Sequence, residues 1–223
     1  MPYSVYGNQQ DGPSTSGPSN SRLASGRIPI GVWHSVGGCE SGFAIPDPTE
    51  NNIVWSGCYD AGLDRYDERT RHSRSVSIWP ANPIGYSAAD LRYRFQWVFP
   101  IALSPFDPKR VYVGSQYVHQ TTDGGQSWKV ISPDLTLNDK SKQQSSGGLT
   151  PDNLGAEYAD VVYAIAESPI EKGLIWAGTN DGQVQITRDA GAHWTNVTSN
   201  IGELPPLGTV DNIEPSRFMP GAA

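Results

Sequence analysis

The sequence predicts an all-β chain built from repeated four-stranded antiparallel sheets, and three observations carry that expectation. Its 24 Gly and 18 Pro punctuate all 223 residues and leave little room for long helices. Seven Trp and ten Tyr suit pleated, half-buried surfaces. The third observation is an internal repeat, the signal that decides architecture when it is present. Thr121-Thr122-Asp123-Gly124-Gly125-Gln126-Ser127-Trp128 recurs as Thr187-Arg188-Asp189-Ala190-Gly191-Ala192-His193-Trp194, and both read T-x-D-x-G-x-x-W.

The match extends outward from that core. Ile101 to Pro108 followed by Val111-Tyr112-Val113-Gly114 is matched by Tyr163 to Pro169 followed by Leu174-Ile175-Trp176-Ala177-Gly178. A third copy is Phe43 to Pro48 followed by Ile53-Val54-Trp55-Ser56-Gly57. Each is a short apolar run, a Pro-bearing turn and a second apolar run ending at Gly, the pattern of strand, loop and strand. Beyond the Gly, Asp181-Gly182, Asp60 with Gly62, and Asp11-Gly12 supply the positive φ of a tight hairpin. The repeat with Gly114 has Gln116-Tyr117-Val118-His119 there instead, so it must turn differently.

The T-x-D-x-G-x-x-W segment reads as a third turn. The Asp accepts backbone N–H groups two or three residues on, the Gly tolerates the left-handed conformation, and the Trp re-enters a strand and buries its ring. Thr121, Asp123, Gly125 and Trp128, with Thr187, Asp189, Gly191 and Trp194, are therefore structural; two Asp doing identical local work in two repeats cannot share one active site. Four antiparallel strands per repeat with no intervening helix make the unit of a propeller blade. The expected layout is a partial blade over 3–36, blades over 43–80, 98–131 and 160–197, and the start of another over 209–223, with insertions at 81–97 and 132–158. The chain is expected to be an internal piece of an open propeller, needing flanking blades as partners and prone to associate when expressed alone.

Net charge is −7 and no basic stripe is visible, which argues against a nucleic-acid partner. No apolar run approaches the roughly 20 residues of a membrane span, and the N-terminus lacks the pattern of a signal peptide. Cys39 and Cys58 lack metal-ligand spacing; two packed thiols are the plain expectation, and one disulfide the alternative in an oxidising compartment. No metal or cofactor is expected.

These motifs resemble the Asp-box (BNR) repeat superfamily, which includes sialidases, xyloglucanases, sortilin-type propellers and photosystem II assembly factors. The run from Phe95 to Thr136 is similar to large bacterial proteins labelled glycosyl-hydrolase-like or sortilin N-terminal-domain-like. The resemblance implies a multi-blade propeller in a larger exported protein, periplasmic, cell-surface or secreted; the chain itself does not specify localisation. It implies no proven activity, and the favoured expectation is a binding or scaffold module for a protein or carbohydrate, with part of a glycoside hydrolase as the alternative.

Catalytic signals are sparse. Arg27-Ile28-Pro29 matches a sialidase tripeptide, yet it lies in a Ser/Gly-rich loop and its partner residues cannot be assigned. A glycosidase needs two carboxylates about 5–9.5 Å apart; Asp60, Asp64, Asp67, Glu157 and Asp160 qualify by type alone. The four His are scattered and fit surface or packing roles. Long loops on a rigid scaffold are the usual place for binding, so Arg92, Tyr93, Arg94 and Trp97 are the candidate ligand contacts. The alternation from Leu91 to Trp97 also fits a half-exposed strand.

Overall fold

A computed structural model describes residues 3–23, 25–59, 61–145 and 158–223, and in it the chain is a row of β-propeller blades. Blade 1 has three strands, β1 (Ser4–Gly7), β2 (Thr15–Pro18) and β3 (His34–Ser35). Blade 2 holds β4 (Ala44–Pro46), β5 (Ile53–Cys58), β6 (Gly62–Asp67) and β7 (His72–Ser75). Blade 3 holds β8 (Ile101–Leu103), β9 (Val111–Gly114), β10 (Val118–Thr121) and β11 (Lys129–Val130). Blade 4 holds β12 (Val162–Glu167), β13 (Ile175–Thr179), β14 (Val184–Thr187) and β15 (Thr195–Asn196). Every sheet is an antiparallel meander, and the helical segments among the described residues are short 3-10 turns. The sheets do not close into a ring.

The second strands explain the stacking. β5, β9 and β13 are buried along nearly their whole length, because β5 and β9 face one blade on either side and β13 faces blade 3 and the segment around Val210 and Ile213. Side chains alternate between those two faces. In β5, Val54 packs with Val36, Tyr66 and Tyr6 toward blade 1, while Ile53 and Trp55 meet Val111 and Val113 of blade 3. Tyr112 then turns to the far face of β9 and joins Ile175 and Ala177 of blade 4. Each fully buried apolar side chain of this kind contributes about 1.5–3 kcal/mol.

Three turns recur within the blades. The first is closed by a Ser or Asp whose N–H reaches six residues ahead: Asp47 to Ile53 O (2.9 Å), Ser104 to Arg110 O (3.0 Å) and Ser168 to Leu174 O (2.8 Å). The second departs from expectation in two blades. The positive φ falls on Gly182 in blade 4, but on Asp11 and Ala61, the residues before the glycine, in blades 1 and 2. Blade 3 turns differently, with Ser115 Oγ accepting the Tyr117 N–H at 3.1 Å.

The third turn joins neighbouring blades. Asp123 Oδ1 accepts N–H groups from Gln126 (2.9 Å) and Ser127 (3.0 Å), and the Thr121 hydroxyl accepts the Gly125 N–H at 3.0 Å. Asp189 Oδ1 accepts the His193 N–H at 2.8 Å and Thr187 Oγ1 the Gly191 N–H at 3.0 Å. So held, Trp128 donates its indole N–H to Val76 O of blade 2, and Trp194 to Ile131 O of blade 3, both at 2.9 Å. Gly125 and Gly191 have positive φ, and a Cβ there would meet Val76 Cβ at 2.6 Å and Ile131 O at 2.4 Å. Glycine is required by conformation and by close approach at once. The tryptophan is thus a clasp between blades, with its ring half-buried rather than fully enclosed.

Blade 2 closes this joint with a shorter hairpin, in which the Asp67 carbonyl accepts the Arg71 N–H at 2.7 Å and Arg71 takes the positive φ. Glu68 stands eight residues before Val76, as Asp123 stands before Ile131, and Ser73 takes the tryptophan position. Glu68 reaches instead to His34 of blade 1 at 2.7 Å.

Two expectations are corrected. Cys39 and Cys58 form a disulfide (Cα–Cα 4.8 Å) rather than two thiols, tying the segment after blade 1 to the end of β5. Residues 91–97 are an irregular segment rather than a strand, because their backbone groups bond to side chains and loops of other blades.

Candidate functional site

The two insertions meet on one rim of the blades. Ala89 N donates to Gln143 O at 3.0 Å, and Gln96 Nε2 to Tyr158 O at 2.8 Å. Hairpins of the scaffold hold them from below. Gln116 accepts the Arg94 N–H (2.9 Å) and donates to Arg92 O (3.0 Å), so one side chain fixes both residues. Asn180 donates to Tyr158 O at 2.7 Å.

Arg94 lies inside this layer and is not a surface contact. Its Nε donates to Asp160 O at 3.0 Å, and its Nη2 meets Asp134 Oδ2 at 3.2 Å and Thr136 Oγ1 at 3.5 Å. Only 3% of the residue is exposed, so no ligand reaches it. The guanidinium fork suits such a buried clasp.

Beneath Arg94 the fold brings two carboxyls together, a pairing that sequence spacing missed. Asp160 is 0% exposed and Asp181 3%. Gln143 Nε2 donates to Asp160 Oδ2 at 2.6 Å; Asp181 accepts the Leu137 N–H at 2.7 Å and the Thr179 hydroxyl. Asp160 Oδ1 is buried without a hydrogen-bond partner. Burial, then the neighbouring Asp160 carboxyl, push Asp181 up to about 6. Two carboxyls sealed in the interior cannot flank a glycosidic bond, which needs room for a sugar and water between them. Asp160 is therefore a structural group.

The pH dependence follows. An acid raised from 3.8 to about 6 holds its proton more tightly folded than unfolded, so stability falls as pH rises from about 4 to 6 and stays reduced above. Asp181→Asn loses the charge and keeps the shape, with its one amide oxygen left to accept the Leu137 N–H while the Thr179 hydroxyl must turn to accept from the amide. It should raise the melting temperature at pH 8, by up to about 3 kcal/mol of stability, and flatten the pH 4–6 slope. Thermal melts across that range check this; an unchanged slope contradicts the raised Asp181 carboxyl.

Above the clasp lies an aromatic patch. The Arg92 guanidinium sits 4.2 Å from the centre of the Trp79 ring and 5.2 Å from that of Tyr93. Tyr93 meets Trp79, Phe95, Tyr117 and His119 edge-on. Burial pushes His119 down to about 3, so the imidazole is neutral, and its Nε2 is 2.7 Å from Ser115 Oγ. Both are sealed from solvent, so this serine–histidine pair props the hairpin instead of attacking a substrate. Arg92 and Trp79 are exposed, Trp79 to 43%. The crevice among them holds about 40 Å³, so the patch can stack a ligand on its surface but cannot enclose one.

Of the four candidate contacts, Arg92 and Tyr93 join the patch and Arg94 anchors it. Trp97 packs edge-on against Tyr59, 4.8 Å between centroids, outside this group. Trp79 and Tyr117 were not among the candidates. Arg27 is exposed in a loop; Asp64 accepts the Gly38 N–H at 3.1 Å, and Asp67 grips Arg69. Asp60 and Glu157 lie outside the described residues. Among the described residues no cluster of three or more His, Cys, Asp or Glu side chains could hold a metal ion. Among the described residues no helix is long and apolar enough to cross a membrane.

No family model matches the chain. A curated protein of Neosartorya fischeri, described as a probable oligoxyloglucan-reducing end-specific xyloglucanase, is 28% identical over 181 residues. The match covers 72% of this chain and 19% of that protein, so the chain spans about a fifth of its relative's length. Among solved structures, an auxiliary nutrient binding protein of Bacteroides thetaiotaomicron has a TM-score of 0.48 at 12% identity, covering 87% of this chain and 44% of its own. A xyloglucanase of Xanthomonas campestris has a TM-score of 0.40 at 16% identity, covering 86% and 36%.

Proposed function

We propose that the chain is a propeller segment of the Asp-box (BNR) type acting as a binding or scaffold module, with the rim around Arg92, Tyr93 and Trp79 as its contact surface for a carbohydrate or protein ligand. The observation that carries this reading is the exposed Arg92–Trp79 stack, held rigidly from below by Gln116 and Arg94. Preorganised aromatic and Arg side chains are the groups that dominate binding energy. The Cys39–Cys58 disulfide supports residence in an oxidising compartment, as expected of an exported protein.

Titration calorimetry with xyloglucan oligosaccharides tests the carbohydrate form of the proposal. Trp79→Ala and Arg92→Ala should each weaken binding at least about tenfold, which corresponds to 1.4 kcal/mol, with unchanged melting temperature. Binding that survives both substitutions, or no binding by the wild type, overturns it. A second reading, part of a glycoside hydrolase, draws on the similarity to the xyloglucanase of Neosartorya fischeri. Turnover by this chain, abolished by one carboxylate substitution outside the T-x-D-x-G-x-x-W turns, would establish that reading instead.

A further inference from the structure

Arg92 is a positioned cation without an anion. Gln116 pins its backbone from both sides, donating to Arg92 O at 3.0 Å and accepting the Arg94 N–H at 2.9 Å. Its guanidinium lies over Trp79 and beside Tyr93, with the central carbon 4.2 Å and 5.2 Å from the two ring centres. A ring draws on the delocalised charge and leaves the N–H donors of the fork to find acceptors elsewhere. Among the described residues no acceptor takes a hydrogen bond from that fork, and no carboxylate stands within ion-pair distance of it. Six other arginines lie between 2.7 and 3.9 Å from a carboxylate. In a chain of net charge −7, with acids in excess, the exposed Arg92 fork is left open to solvent.

Its surroundings set the number of negative charges it can take. Arg94 is buried against Asp134, the Lys140 ammonium donates to Asn138 and Gln143, and Lys142 lies 3.9 Å from Asp139. Asp90 is occupied as well, accepting the Ser87 hydroxyl at 2.7 Å. The rim therefore presents one available cation beside one indole that keeps 43% of its surface exposed. A run of acidic residues on a peptide calls for several cations. A sugar unit with a single carboxylate next to an apolar ring face calls for one cation and one aromatic surface. The crevice beside Trp79 holds about 40 Å³, too little for a sugar ring, so such a unit lies along the surface with its neighbours running past on either side.

We propose that the rim binds an acidic polysaccharide, with a hexuronate carboxylate on the Arg92 fork and the C–H face of the same sugar ring against Trp79. The carboxylate matches the planar fork two oxygens to two N–H groups, a geometry that a lysine cannot reproduce. The inference rests on the carbohydrate form of the proposed function and adds to it the charge of the ligand.

Titration calorimetry of the whole chain with oligogalacturonate, with the same oligomer methyl-esterified, and with xyloglucan oligosaccharides tests this. Oligogalacturonate should bind at least about tenfold more tightly than its ester, and the advantage should shrink as salt is added. Arg92→Gln should bind acid and ester alike. Arg92→Lys, which keeps the charge and loses the fork, should fall between wild type and Arg92→Gln. Both replace an exposed side chain and should melt as wild type does. Equal affinity for acid and ester in wild type, or a preference for the acid that survives Arg92→Gln, overturns the proposal; binding of xyloglucan alongside either result leaves the neutral-carbohydrate reading standing. Absence of binding by all three oligosaccharides overturns both. Oligoglutamate bound more tightly than oligogalacturonate makes the occupant an acidic peptide and overturns the proposal equally.

Discussion

Replacing Trp194 by alanine is expected to destabilise the chain by about 3–5 kcal/mol, the range for a large aromatic removed from a packed site. The substitution empties the joint between blades 3 and 4 and leaves Ile131 O without its indole donor. Trp128→Ala should act alike at the joint between blades 2 and 3, where the ring packs against the core around Val76 and Val111. Denaturant unfolding followed by far-UV circular dichroism measures both. Asp189→Ala and Asp123→Ala should lower the melting temperature less, because they loosen the turn that carries the ring. Hydrogen bonds from Ser127 and from His193 hold Asp123 and Asp189 down to about 2. Their stabilising effect is present above the ordinary carboxylate value and is lost as pH falls from about 4 toward 2. An Asp variant with unchanged melting but altered ligand turnover would contradict a structural role.

Arg94→Met is the second substitution with a large expected effect. Removing one member of a fully buried ion pair costs about 3–5 kcal/mol; here Asp134 keeps 21% exposure, which sets the loss toward the lower end of that range, while the Asp160 carbonyl also loses its donor inside the insertion layer. Arg92→Ala, two residues away, should stay within about 0.5 kcal/mol of wild type, as exposed substitutions do. The pair separates anchor from contact in one melting experiment. A destabilised Arg92→Ala with a neutral Arg94→Met would reverse the assignment of the two arginines.

The difference between those arginines was invisible in the sequence, where Arg92, Tyr93, Arg94 and Trp97 form one alternating run. Their fates are set by partners far along the chain: Gln116, Asp134 and Asp160 for Arg94, Tyr59 for Trp97. The repeated turn was legible because its chemistry is local; Thr, Asp and Gly bond within four residues of one another. Its reach to the previous blade was not, since the indole hydrogen bonds go to the backbone carbonyls of Val76 and Ile131, which any residue could supply. The shorter hairpin of blade 2 escaped notice because it lacks the T-x-D-x-G-x-x-W pattern. The Asp160–Asp181 pair depends on two hairpins and an insertion converging, and the Cys39–Cys58 bond on the segment after blade 1 folding back along β5.

The account rests most heavily on the indole clasps between blades, and hydrogen exchange at the tryptophan side chains tests them directly. In a chain labelled at its seven tryptophans, the Nε1–H signals of Trp128 and Trp194 should exchange only on unfolding, far more slowly than that of exposed Trp79. Gly191→Ala, which drives a Cβ toward Ile131 O, should abolish the protection of Trp194 and leave that of Trp128. Exchange of Trp128 and Trp194 as fast as Trp79 in the wild-type chain would show that the blades are not joined in this way.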